Sequence, residues 1–259
     1  MKKKGLTMIL AIAMVVCTLV GCGNKGDNTF IVGFDANFPP YGYTDDNGDY
    51  VGFDLDLAAE VAKRNNWEIK LQPIDWDSKD MELSSGAIDC IWNGFTQSED
   101  RLDKYTWSDP YVDNSQVFVV AADAGIASQA DLAGKVVATQ ADSSALEALN
   151  SEESAELLAS FGELLVVPDY NTAFMNLEAG AVDAIAMDIG VAQYQISSRD
   201  ANFVILDDEL VSEIYAVGFL LGNTELRDQV QKSLDEMMAD GTFMQIAEKW
   251  ELADCVIVK

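Results

Sequence analysis

Twice in this chain a helical stretch closes on a small residue, a glycine and a second small residue, and an aspartate then enters a strand: SGAIDCI (residues 85–91) and AGAVDAI (residues 179–185). Glycine tolerates the left-handed turn that ends a helix, so each joint redirects the chain from helix to strand. The joint looks like the same αβ unit used once per lobe, and the alternation of strands and helices along the chain is the signature of the α/β class. The runs around the joints agree. TFIVGFD (29–35) reads as a strand. DLDLAAEVAKRN (54–65) repeats Leu57, Ala58, Val61 and Ala62 at helical spacing, with Asp54 expected as its cap. WEIKLQPI is a strand and DSKDMELSSG a helical stretch before the first joint. A second set alternates in the same way: KVVATQ, SSALEALNS, ELLVVP, TAFMNLEAG, AVDAIAMD, GVAQYQISSR.

Two longer β runs, SQVFVVAA (115–122) and EIYAVGFLLG (213–222), contain no turn signal and are each long enough to pass between lobes. After the second only helices remain, ELRDQVQKSLDEMMADG with Leu226, Val230 and Leu234 in period and then TFMQIAEKW. The expected layout is discontinuous: lobe 1 from 29–114 and 217–259, lobe 2 from 120–212, and 115–119 and 213–216 as the hinge.

The chain begins MKKKGLTMILAIAMVVCTLVGC, in which Lys2, Lys3 and Lys4 precede an apolar run too short to span a membrane and suited to a secretory signal, residues 1–21. LVGC (19–22) resembles the lipobox of bacterial lipoproteins, which implies cleavage before Cys22, acylation of its thiol, and a tether over 22–28 on the outer face of the cytoplasmic membrane. From Cys22 onward, 13 lysines and arginines face 44 aspartates and glutamates, a net charge of −31. That balance excludes nucleic acid as a partner and repels anionic lipid, so the anchor has to be covalent. No histidine occurs, which removes the commonest general base and metal ligand; neither catalysis nor a cofactor or metal is expected. Cys17 leaves with the signal, so Cys90 and Cys255 remain as the pair available for a disulfide.

In open α/β sheets ligands bind beyond the carboxyl ends of the strands. That rule selects Asp35 and Phe38, Asp75 and Trp76, Asn93, Gly94 and Thr96, Gln140 through Ser144, and Asp188. A zwitterion with one planar anion and one compact cation wants a guanidinium fork for the first and a carboxylate for the second, and Arg101 and Asp188 supply one from each lobe. Ser143 and Ser144, opening a helix, are expected to turn backbone N–H groups toward the same anion. Trp92 is assigned to packing.

VGFDANFPPYGYTDDNGDYVGFDLDLAAEVAKR, SGAIDCIWNGFTQSEDR and WSDPY, in that order, resemble the polar amino-acid family of extracellular solute-binding proteins, similar to histidine- and glutamine-binding proteins. The resemblance implies a two-lobed periplasmic-binding-protein-like fold and a monomer that delivers a free amino acid to the permease of an ATP-driven (ABC) importer. It also implies roles. Arg101 matches the α-carboxylate arginine, Thr96 and Ser144 the hydroxyls on that carboxylate, and Asp188 the carboxylate for the α-ammonium. Gly94 matches a carbonyl that receives the ammonium, Phe38 and Trp76 the aromatic pair around the side chain, and Asp35, Asn93 and Gln140 the remaining lining.

Asp142 departs from the family pattern, standing where a glycine is usual, and an inward carboxylate there would oppose the ligand's own. Asp35, Asp75 and Asp142 favour a cationic side chain; Gln140 and Asn93 suit glutamine, asparagine or cystine. Two alternatives share the scaffold: a dehydratase-like enzyme, for which Asp35 or Asp188 would act as acid or base, and a ligand-sensing lipoprotein, for which a transmembrane or signalling segment would be expected before Lys259.

Overall fold

The computed structural model describes residues 28–199 and 201–257; the expected signal, tether and lipid-bearing Cys22 lie outside the described residues. In chain order the elements are β1 (Thr29–Phe34), β2 (Asn37–Phe38), β3 (Gly42–Thr44), β4 (Tyr50–Val51), α1 (Phe53–Arg64), β5 (Glu68–Pro73), α2 (Lys79–Ser85), β6 (Cys90–Ile91) and β7 (Tyr105–Trp107). Next come β8 (Val112–Ala121), β9 (Val136–Gln140), α3 (Ser144–Leu149), α4 (Ala155–Ser160), β10 (Glu163–Val167), α5 (Tyr170–Glu178), β11 (Ala184–Asp188), α6 (Ile189–Ser198) and β12 (Phe203–Ile205). The chain finishes with β13 (Val211–Tyr215), β14 (Gly218–Leu220), α7 (Thr224–Asp240) and α8 (Thr242–Lys249).

Two sheets make the two lobes. The first runs β5-β1-β6-β14-β7 and the second β10-β9-β11-β8-β12, with β13 paired to β8. β1 is parallel to β5 and β6, as β9 is to β10 and β11, so the carboxyl ends of β1, β6, β9 and β11 gather at the edges where the lobes meet. The terminal helices α7 and α8 pack on α1, and α7 buries Val230, Leu234 and Met237.

The repeated joint has one physical meaning in both lobes. Gly86 and Gly180 hold positive φ of 75° and 69° after α2 and α5. Asp89 then accepts a hydrogen bond from Ile31 N at 2.8 Å, and Asp183 one from Val136 N at 2.9 Å. Each aspartate thereby ties the incoming strand to the start of the neighbouring parallel strand before the regular ladder begins, which is why the same residue type recurs at that place.

Three expectations differ from what is observed. The second long β run is broken at Ala216 and Val217 into β13, which pairs β8 in the second sheet, and β14, which pairs β6 and β7 in the first. On the outgoing side the chain changes sheets between Trp107 and Val112, so residues 115–119 are part of β8 inside the second sheet, paired to β11 and β12. Extended backbone looks alike on both sides of such a crossing, and only the partners change. A third backbone lies beside it: Asp113 N donates to Cys255 O and Ile257 N to Tyr111 O. Finally, Cys90 and Cys255 form no bridge. Cys90 is buried within β6 between β1 and β14, while the Cys255 thiol donates to Leu252 O at 3.2 Å within the C-terminal segment.

Candidate functional site

Asp54 shows how lobe 1 builds its share of the cleft. It was expected to cap α1, but the cap position is Gly52, and Asp54 lies buried in the first turn with its carboxyl aimed across the lobe. Its Oδ2 accepts from Gly94 N at 2.6 Å and its Oδ1 from Tyr111 Oη at 2.8 Å. That contact fixes the loop after β6, whose Gly94 has φ +56° and sits so close that a Cβ would lie 2.7 Å from the Phe38 ring. Only glycine fits there. Asn93, one residue earlier, accepts Asp35 N at 3.0 Å and so ties the ends of β1 and β6 together.

The strand-end residues meet across the interface between lobes. Asp35 Oδ2 accepts from Gln140 Nε2 of lobe 2 at 2.7 Å, and Phe38 packs on Tyr170 with ring centroids 6.1 Å apart. Thr96 Oγ1 lies 3.1 Å from Ser144 Oγ, and Tyr194 Oη 3.0 Å from Tyr43 Oη. The lobes are closed on each other. Trp76 is half-buried; its ring faces Phe95 edge-on with the Lys79 ammonium 5.0 Å from its centroid, so Phe38 and Trp76 have separate neighbours.

Arg101 and Asp188 terminate one hydrogen-bonded chain that crosses this interface. The buried Arg101 guanidinium donates to Thr96 O at 3.4 Å, and Thr96 reaches Ser144. Gln116 Nε2 donates to Ser144 Oγ at 2.9 Å and to Asp188 Oδ1 at 2.7 Å. Asp188 makes no cap bond to α6; its Oδ1 accepts from Asn114, Gln116 and Tyr215 at 2.9, 2.7 and 2.6 Å. Ser143 Oγ caps α3, a helix of six residues, by accepting from Leu146 N at 3.2 Å.

Three charged residues were missed. Lys79 pairs with the carboxylate of Asp142, whose φ is +54°, so the charge that departs from the expected glycine is neutralised across the cleft. Glu147 Oε2 lies 3.1 Å from Arg101 Nη2, and its Oε1 accepts from Ser98 Oγ at 2.7 Å. Glu213 Oε1 accepts from Thr96 Oγ1 at 2.8 Å, Asn114 Nδ2 at 2.6 Å and Gln116 Nε2 at 2.7 Å. Each was unreadable because its partner is remote in sequence. The run 213–222 gave no signal either, because its break at the crossing shows only in the strand pairing.

Burial dominates the electrostatics. It pushes the Asp35 carboxyl up to about 6 and that of Asp54 up to about 7, against the hydrogen bonds each accepts. Asp188 and Glu213 are likewise pushed up by burial, and the charge of Asp188 adds to the rise at Glu213. A carboxyl whose folded value exceeds its unfolded value of about 4 contributes stability that is complete below about pH 4 and is lost as pH rises through the folded value. The ligand-free protein is therefore expected to melt at a higher temperature near pH 5 than near pH 8, with the decline between about pH 5 and pH 7, and Asp54→Asn should flatten that decline. Thermal denaturation across this range checks it; a melting temperature that rises toward pH 8 would be the opposite outcome.

Comparison with known proteins bears on this arrangement. The family described as bacterial extracellular solute-binding proteins, family 3, matches residues 30–253. The L-cystine-binding protein TcyJ of Escherichia coli is 29% identical over 232 residues, which are 89% of this chain and 85% of that protein. The arginine-binding extracellular protein ArtP of Bacillus subtilis is 29% identical over 259 residues, covering 96% of this chain and 98% of that one. A substrate-binding protein of an ABC uptake transporter from Streptococcus pneumoniae, solved with bound histidine, superposes with a TM-score of 0.82 at 32% identity, covering 86% of this chain and 92% of that one.

Proposed function

Because the chain belongs to family 3 of the bacterial extracellular solute-binding proteins, we propose that it captures a free L-amino acid with a polar side chain between its lobes and delivers it to an ABC importer, catalysing nothing itself. The observation that carries this reading is the chain from Arg101 through Thr96, Ser144 and Gln116 to Asp188, which sets a guanidinium and a carboxylate at the two ends of one cross-lobe network. An α-amino acid carries one charge of each sign, and a guanidinium and a carboxylate are their complements. The relatives point the same way, since cystine, arginine and histidine share only that head group and polarity.

In this reading Arg101 grips the α-carboxylate with Thr96 and Ser144, while Asp188 and the Gly94 carbonyl receive the α-ammonium. Phe38 and Trp76 flank the side chain, and Asp35, Asn93 and Gln140 line its far end. Charged hydrogen bonds contribute about 1.5–3 kcal/mol each and micromolar affinity needs about 8 kcal/mol, so a few such bonds suffice after the cost of ordering. Because the partners come from different lobes, the ligand favours the closed form, with the crossings between Trp107 and Val112 and between Tyr215 and Gly218 as the hinge. The protein acts as a monomer held to the membrane through Cys22. Thermal shift with the twenty amino acids and cystine tests the reading. A few polar L-amino acids should raise the melting temperature by several degrees; a flat response to the whole panel contradicts it.

A further inference from the structure

The donors assigned above to the ligand's carboxylate already carry a carboxylate of this chain. Glu213 Oε1 accepts from Thr96 Oγ1 of lobe 1 at 2.8 Å and faces Ser144 Oγ of lobe 2 at 3.4 Å. We propose that Glu213 is a resident stand-in for the ligand's α-carboxylate: it occupies the hydroxyl subsite while the cleft is empty, and an amino acid binds by displacing it. The inference rests on the assignment of Thr96 and Ser144 to that carboxylate.

Three features fit displacement and none requires a new contact. The first is chemical identity, because the same functional group receives the same two hydroxyls and joins the same two lobes. The second is the absence of a counter-charge. No salt bridge to Glu213 occurs among the described residues, and it shares Asn114 and Gln116 with a second buried carboxylate, Asp188. Two carboxylates on one pair of amides oppose each other, which weakens the hold on Glu213. The third is an exit. Glu213 lines a cleft of ≈ 880 Å³ together with Thr96, Ser144 and Glu147, so its side chain can turn into solvent while β13 stays paired to β8. After it leaves, the two hydroxyls are still within reach of each other at 3.1 Å. Its position beside the crossing between sheets also places the displaced group on the segment that bends.

Glu213 thus lowers affinity by the free energy of its own bonds. Calorimetric titration of wild type, Glu213→Gln and Glu213→Ala with whichever of arginine, histidine, glutamine and cystine gives the largest thermal shift tests this. Glu209→Gln serves as control, because Glu209 is an exposed neighbour whose carboxylate, among the described residues, holds only Ser212. Both Glu213 variants should bind at least about fivefold more tightly than wild type and the control should stay within about twofold. Equal or weaker binding by the folded Glu213 variants overturns the proposal, as does an equal gain in the control, which would make the effect one of general charge. Failure of the underlying site is separate: it would show as binding that survives Arg101→Ala.

Discussion

Arg101→Ala is expected to weaken amino-acid binding by at least about 100-fold, a loss of about 3 kcal/mol, while the protein still folds. The guanidinium is buried beside Phe95, its Cζ 5.3 Å from the ring centroid, and it reaches Thr96 O, Asp142 O and Glu147 from one fork. Among the described residues no other cation is placed to substitute. Lys79, the nearest alternative, is taken up by Asp142 and by Trp76 O. Arg101→Lys should recover only part of the affinity, because an ammonium cannot present two parallel donors to one carboxylate. Titration calorimetry reads the loss directly. A variant that keeps wild-type affinity would remove the head-group assignment, and a variant that loses affinity only through a large drop in melting temperature would make Arg101 a structural residue.

Asp54→Ala has the largest expected effect on stability, a loss of about 3 kcal/mol and a fall in melting temperature of about 6–10 °C. The substitution leaves Gly94 N–H and Tyr111 O–H buried beside Phe53 with no acceptor, and each such orphan costs about 1–3 kcal/mol. Asp54→Asn should cost less, since its remaining oxygen can serve one of the two donors. Denaturant unfolding at unchanged slope measures both. A change under about 0.5 kcal/mol in Asp54→Ala would mean that water or a rearranged loop satisfies the two donors. Binding should weaken with stability, because the Gly94 loop carries the carbonyl proposed for the ammonium.

What was legible in the sequence is what depends on near neighbours. Helix and strand runs are set by local periodicity, and the joints at Gly86 and Gly180 by one left-handed residue each, so the lobes and their repeated αβ unit could be read. The strand-end rule selected Asp35, Asn93, Thr96, Gln140, Ser144 and Asp188, and the structure places them along the interface between the lobes. Asp54 shows the limit. An aspartate at a helix start looks the same whether it bonds its own helix or a loop from β6, and its sequence distance of 40 residues from Gly94 hides the second case. Lys79, Glu147 and Glu213 fail for the same reason, each being defined by a partner across the cleft. The crossing point was misplaced because extended chain carries no mark of which sheet it joins.

The most direct test of the account is a crystal structure of the complex with the amino acid that stabilises the protein most. The account predicts one ligand between the lobes, its α-carboxylate within hydrogen-bond distance of the Arg101 guanidinium and the Thr96 hydroxyl, and its α-ammonium on the Asp188 carboxylate. A ligand bound elsewhere, or one between the lobes whose charged ends touch neither Arg101 nor Asp188, would contradict it.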